Sequence, residues 1–169
     1  MKRLTDCLAR SAINSQADIS VPVTDYFPMI RAKMLQRWGE QFATSGVSRG
    51  RWYFDVQNCV SLKPWFVGSG FSKRDISCIC RMRLGHCCTA SHLTRIGVFN
   101  DPTCQCGEEE ETLDHIFFVC GRYDRGGLYA KIVQITKEAP LSMKYLLSLN
   151  NLKIFQLLVE FLREYDIKL

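Results

Sequence analysis

The chain has 169 residues, 47% of them hydrophobic and 11% aromatic, which is enough for one ordinary core or two very small ones. No apolar run approaches the roughly 20 residues a membrane span needs, and the N-terminal MKRLTDCLARSAINSQAD is too polar for a secretory signal, so an intracellular protein, nuclear or cytoplasmic, with no membrane partner is expected. The net charge of +5 is uneven: residues 1–103 hold 14 Lys and Arg against 7 Asp and Glu, whereas residues 104–169 hold 8 against 10, an asymmetry that suits nucleic acid or another anionic surface on the first part. Nine cysteines, an odd count without an export signal, argue for metal ligands and buried thiols rather than a disulfide framework.

Residues 2–14 carry Leu4, Leu8 and Ala12 at helical spacing and read as an amphipathic helix, within a first segment taken as 1–16. The stretch NSQADISVPVTD reads as a linker, centred on 17–24. From Asp25, a candidate N-cap, the residues Phe27, Ile30, Met34, Trp38 and Phe42 recur at three and four positions, predicting a helix that ends near Ser45-Gly46 and turns this face to the core. RGRWYFDV is aromatic and β-prone. Ser72 to Asp75 resembles a capping box with Asp in place of Glu and opens a helix through DISCICRMRL, with Ile76, Ile79, Cys80 and Leu84 on its apolar side. TASHLTRI fits a short helix stopped by Gly97, and Thr112 can cap a helix through LDHIFFV. Two further helices are expected, one around Leu128 to Lys137 and one from Asn151 that carries Phe155, Leu158, Val159, Leu162 and Tyr165 on one face. The predicted class is mainly α: a small helical domain with a zinc knuckle, organised as a basic helical region (25–103), the knuckle (104–120) and C-terminal helices (121–169).

The knuckle is CQCGEEEETLDHIFFVC. Its spacing, C-x-C-x8-H-x4-C, offers Cys104, Cys106, His115 and Cys120 as four soft or borderline donors in two pairs, the composition of a closed, structural Zn²⁺ site. Gly107 directly follows the second cysteine, where such a turn needs a positive φ, and one short helix would carry both distal ligands. The competing reading is three buried thiols and a surface histidine. The four glutamates sit ahead of a helix N-terminus, where its dipole favours them, and read as a solvated loop. On the helix after Ser72, Arg74 and Arg81 share a stripe with Ser77 and Cys78; with Lys73, Arg83, His86 and Arg95 they form a candidate phosphate-binding platform, against the alternative of an ordinary solvated face. Cys78, Cys80, Cys87 and Cys88, with His86 and His92, contain either a second metal site or simply buried cysteines.

The order KPWF, RMRLGH, HLTRIGVFNDPTCQCGEEEETLDHIFFVCGRY resembles the C-terminal region of insect non-LTR retrotransposon polyproteins of the jockey-like kind, in which an R-x-R-x-G-H segment precedes a C-x-C-G…E-E-T…H-I-x4-C zinc knuckle. The likeness is strongest from about Lys63 to Tyr123. TDCLARSA is similar to the last ribonuclease H helix of such elements, whose A-D-x-L-A pattern puts a metal-binding aspartate where Asp6 stands, with Thr5 replacing the alanine. The resemblance implies a fragment of a reverse transcriptase and ribonuclease H polyprotein. A ribonuclease H site needs several carboxylates to hold two divalent metals, and only Asp6 of that set is present, so a self-sufficient nuclease is not expected. The expected activity is holding RNA or DNA, with zinc as a structural cofactor. The alternative is a protein-interaction module that uses the acidic loop and the C-terminal helix.

Overall fold

The computed structural model describes residues 22–139 and 142–169. The expected helix over 2–14, with Asp6, and most of the linker lie outside the described residues. The elements in order are α1 (Val23–Ser48), α2 (Arg51–Val56), α3 (Lys73–Leu84), α4 (Ala90–Arg95), a π-helical turn (His115–Val119), α5 (Gly126–Thr136), α6 (Met143–Ser148) and α7 (Leu152–Glu164). The protein is mainly α; extended pairing among the described residues amounts to one antiparallel bridge, Thr103 with Glu110. No described helix is long and apolar enough to cross a membrane.

Two units are distinguished by their contacts, residues 1–37 and 38–169. In the first, the described residues form the opening of α1, where Phe27 is 58% and Met34 66% exposed. Ile30 is likewise exposed, as is Trp38 in the second unit. The expectation that this stripe is core therefore fails for four of its five members. Tyr26 and Met29, off the stripe, are exposed too, so α1 lacks one dominant apolar face. Burial begins near Phe42, whose ring lies 6.0 Å from Tyr53 and 5.6 Å from Phe54. Gly46 is buried because a Cβ there would collide with the Phe54 ring.

RWYFDV forms α2, not a strand. The competing force is packing. Trp52 and Val56, four residues apart, point into the second unit together: Val56 is buried, and the Trp52 indole donates to the Met82 carbonyl at 2.9 Å. Aromatic residues favour strands only where a pleated surface receives them.

The core of the second unit is shared by α2, α3, α5, α6, α7 and the π turn, through Val56, Ile79, Met82, Phe117, Ile132, Leu146 and Phe155 among others. α3 packs on α2, α6 and α7, and α5 packs on α7. The C-terminal helix follows its predicted face: Phe155, Leu158, Val159 and Leu162 are buried, Tyr165 is half-buried, and the Asn151 side chain accepts from Lys153 N at 2.9 Å. The short helix α6 has no counterpart in the sequence reading, because six residues carry too little period to register.

At the start of α3 the capping box is complete: Ser72 Oγ accepts from Asp75 N at 3.3 Å and Asp75 Oδ2 accepts from Ser72 N at 3.3 Å. Asp75 also accepts from Ser72 Oγ at 2.6 Å and from Arg163 of α7 at 2.5 Å. Burial pushes this carboxyl upward, but the bonds from Ser72 and Arg163 together outweigh it and hold its pKa below the ordinary 3.8. A lowered native pKa means that the ionised form stabilises the fold above the unfolded value, and that this contribution is lost as pH falls through the native one. Asp75→Ala is expected to lower stability by about 1–3 kcal/mol at neutral pH. Urea titrations should show the gap to the unmodified protein shrinking as pH drops below the ordinary carboxylate range; a constant gap down to acid would contradict the account.

The buried stripe of α3 is Asp75, Ile79, Met82 and Arg83, rotated from the predicted Ile76, Ile79, Cys80 and Leu84, and Leu84 is 47% exposed. The rotation follows from burying Arg83. Its Nη1 donates to Leu147 O at 2.5 Å and Asn150 Oδ1 at 2.6 Å, and its Nη2 donates to Gln57 Oε1 at 2.7 Å.

Candidate metal centre and cationic face

Cys104 and Cys106 stand on a tight turn. Gly107 adopts φ +82°, and its N–H donates to Cys104 O at 2.8 Å, closing the turn that brings the two sulfurs to one side. Cys104 N donates to Glu109 O and Glu111 N to Pro102 O, both at 2.8 Å, so the loop is a small hairpin through the Thr103–Glu110 bridge. The distal pair comes from the π turn. Thr112 Oγ1 caps it, accepting from His115 N at 3.1 Å, and Cys120 N donates to His115 O at 2.7 Å. In an α-helix, residues five apart point about 140° away from each other at 3.6 residues per turn. The wider i→i+5 turn brings Cys120 back beneath His115, a local geometry frequent at functional sites.

The result is a cluster in which one atom from each of Cys104, Cys106, His115 and Cys120 lies within 4.8 Å of the others, a set able to hold a metal ion. Cys104 Sγ is 3.8 Å from Cys120 Sγ, and Cys106 Sγ is 3.2 Å from His115 Nε2. His115 is 2% exposed, so the reading of a surface histidine fails. Its other nitrogen, Nδ1, is buried without a hydrogen-bond partner, with Glu109 Oε2 just beyond reach at 3.6 Å. Metal-bound imidazoles usually direct that nitrogen at a carboxylate or carbonyl, and Glu109 is in position for it. The cysteines are electrostatically unlike. The backbone N–H of Glu108, 3.5 Å from Cys106 Sγ, leads the effects that lower this thiol to about 7, whereas burial raises Cys104 to about 11.

The acidic loop is only partly solvated. Glu111 Oε1 accepts from Ala90 N at 3.1 Å, at the start of α4, and Glu110 Oε2 accepts from Ser91 Oγ at 3.1 Å. Two of the four glutamates thus clamp the knuckle to α4, complementing the exposed N–H groups of that helix end. On the other side Asp114 Oδ1 accepts from Met143 N at 2.6 Å, capping α6. The sequence held one clue: Glu108 to Glu111 and Asp114 crowd the stretch just ahead of His115, and so many carboxylates must meet some donor.

No family model matches the chain, and neither a curated protein nor a solved structure is detectably similar to it.

Of the candidate phosphate ligands, Lys73, Arg74, Arg81, His86 and Arg95 are exposed. Arg83 is not among them: it is 2% exposed and donates to three acceptors inside the fold, so it is withdrawn from the exposed platform. Arg81 keeps one nitrogen on the main-chain oxygen of Leu169 at 2.9 Å. Arg95 lies 2.7 Å from His92 Nδ1, and burial, Arg95 and His86 together lower the His92 pKa, keeping it a neutral acceptor. Among the described residues, none of Lys73, Arg74 and Arg95 is paired with a carboxylate. Gly85, of the RMRLGH stretch, has φ +69° and ends α3; a Cβ there would lie 2.8 Å from the Trp52 ring. That stretch is therefore largely structural.

The described cysteines are all free thiols, and no second cluster able to hold a metal is found among the described residues. Burial raises Cys87 to about 12 and also raises Cys78, as expected of inert core thiols.

Proposed function

We propose that the chain is a non-catalytic, zinc-stabilised nucleic-acid-binding module, derived from the tail of a retrotransposon reverse transcriptase and ribonuclease H polyprotein. The single observation that carries it is the pairing of a closed Cys3His cluster with an exposed, unneutralised set of cations on the helices next to it. Zinc is favoured by the donor set and by fit: thiolates about 2.3 Å from a tetrahedral ion lie about 3.8 Å apart, the separation of Cys104 and Cys120. The metal's part is structural. Cys104, Cys106, His115 and Cys120 would hold it, while Glu110 and Glu111 transmit the position of the knuckle to α4 and so to Arg95. Lys73, Arg74, Arg81 and Arg95 then grip phosphates of RNA or DNA, over a reach set by α3, about 18 Å long for 12 residues. Asp6 alone cannot organise two catalytic metals. The competing protein-interaction reading loses ground, because Glu110 and Glu111 are engaged internally and the apolar face of α7 lies in the core.

The test is salt dependence. Four contacts, Lys73, Arg74, Arg81 and Arg95, predict that log affinity for single-stranded nucleic acid falls with log salt at a slope of about −3, at about −0.7 per contact. Replacing Arg74 and Arg81 together by Gln should reduce the slope by about 1.4 and weaken all sequences alike. A flat salt dependence in the unmodified protein, or hybrid cleavage lost in Asp6→Asn, would overturn the proposal.

A further inference from the structure

One feature of the second unit is used by neither the knuckle nor the cationic face. A cleft of about 700 Å³ opens between α2, α3, the 59–66 loop and the start of α7, and Tyr53, Lys63, Trp65, Phe66, Arg83 and Asn150 are among the residues that line it. Its size is that of a small-molecule site. Arg83, 2% exposed, forms part of its wall, held by three neutral acceptors: Leu147 O, Asn150 Oδ1 and Gln57 Oε1. Its guanidinium carbon also sits 5.9 Å from the centre of the Phe155 ring. Among the described residues no carboxylate is paired with it. A buried charge is ordinarily balanced by an opposite one, and neutral acceptors orient a guanidinium without cancelling its charge. Exposed Lys63 adds a second positive charge at the rim. The half-buried Trp65 and Phe66, with ring centres 5.5 Å apart and planes at 90°, give the same cleft aromatic surface on which a flat ring can stack. Cys80 and Leu84, on the cleft wall, lie seven and eleven residues beyond Lys73, on one stripe of α3, so the wall runs on into the cationic face.

We propose that this cleft is a nucleotide subsite, in which a base stacks against Trp65 or Phe66 and its phosphate lies between Lys63 and Arg83. The proposal rests on the nucleic-acid reading above and gives it a pocket for one unstacked nucleotide. Phosphate is the anion of choice because one cleft carries a guanidinium, an ammonium and ring surface, the chemistry that suits a nucleoside monophosphate.

The test uses the full chain and the quenching of tryptophan fluorescence by AMP, adenosine, inorganic phosphate and a short aromatic peptide with a free C-terminal carboxylate. AMP should bind at least about tenfold more tightly than adenosine, the effect of one charge-assisted contact, and inorganic phosphate should compete with it. Lys63→Ala, at an exposed site, should weaken AMP about threefold to tenfold and leave adenosine unchanged. Phe66→Ala should weaken both. Arg83→Lys keeps the charge without the fork; if it folds, by circular dichroism, it should bind AMP less well than the unmodified chain. Equal binding of AMP and adenosine, no response to AMP, or tighter binding of the peptide would each overturn the proposal. Salt-dependent binding of an oligonucleotide separates the two readings. If the oligonucleotide binds with the predicted slope and Lys63→Ala and Phe66→Ala change nothing, the subsite fails and the cationic face stands; if the unmodified chain binds no oligonucleotide, the wider reading fails.

Discussion

Replacing Cys106 by Ser, or stripping the metal with a chelator, is expected to lower the melting temperature by about 10 °C or more, with a loss of helical signal. The magnitude follows from the site being part of the folding reaction: binding free energy at a structural zinc site is largely folding free energy, and a few kcal/mol moves the midpoint of a domain this size by about 2–8 °C each. The structure says where the loss should fall. The hairpin at 102–111 has few backbone bonds of its own, and the π turn that carries His115 and Cys120 supplies Ile116 and Phe117 to the core and Asp114 to the cap of α6. Loosening the ligands therefore loosens α4 through Glu110 and Glu111, and α6 through Asp114. Acid should act in the same direction. Thiols must lose protons to ligate, and with Cys104 raised to about 11 by burial, metal uptake has to displace protons and must weaken steadily as pH falls. Thermal melts of the Cys106→Ser protein and of chelator-treated protein, compared with the untreated one, check it; superimposable curves would remove the metal from the account of stability.

Arg83→Met is expected to destabilise the second unit by about 3 kcal/mol or more, whereas Arg74→Met, on the exposed side of the first turn of the same helix, should change stability by less than about 0.5 kcal/mol. Methionine matches much of the stem but leaves Leu147 O, Asn150 Oδ1 and Gln57 Oε1 without their donors. Each buried acceptor so orphaned costs about 1–3 kcal/mol, less where water can reach it. Asn150 adds to the effect, since it holds φ +49°, a left-handed conformation that its bond to Arg83 helps to fix at the junction of α6 and α7. Chemical denaturation of the two variants side by side checks this; a mild Arg83→Met would mean that the guanidinium is dispensable to the fold.

What was legible in the sequence was what local chemistry decides. The Ser72–Asp75 box, the start of the last helix at Asn151 and the 3.6-residue period of Phe155 to Leu162 needed no knowledge of neighbours, and each is found as read. The gathering of Cys104, Cys106, His115 and Cys120 into one cluster was legible for a similar reason, since four donors at fixed spacing and a glycine after the second cysteine constrain the turn on their own. Failures came where a distant partner decides the outcome. Arg83 reads as a surface cation in sequence; only the approach of Gln57, Leu147 and Asn150, all more than twenty residues away, makes it an interior one. RWYFDV reads as a strand until Met82 offers its carbonyl to Trp52. The stripe of α1 reads as core because periodicity reports a face but not whether anything packs on it. The glutamates read as solvated because their donors, Ala90 N and Ser91 Oγ, precede them by some twenty residues.

On the proposed reading, the knuckle, the placement of α4 and the integrity of the cationic face all depend on one ion held by Cys104, Cys106, His115 and Cys120. Elemental analysis of the purified chain, with a Cys106→Ser and a His115→Ala protein beside it, is the most direct measurement. The account predicts one zinc per chain in the unmodified protein and close to none in either variant. Zinc retained in full by both variants, or an unmodified protein that takes up none at neutral pH with excess zinc present, would contradict it.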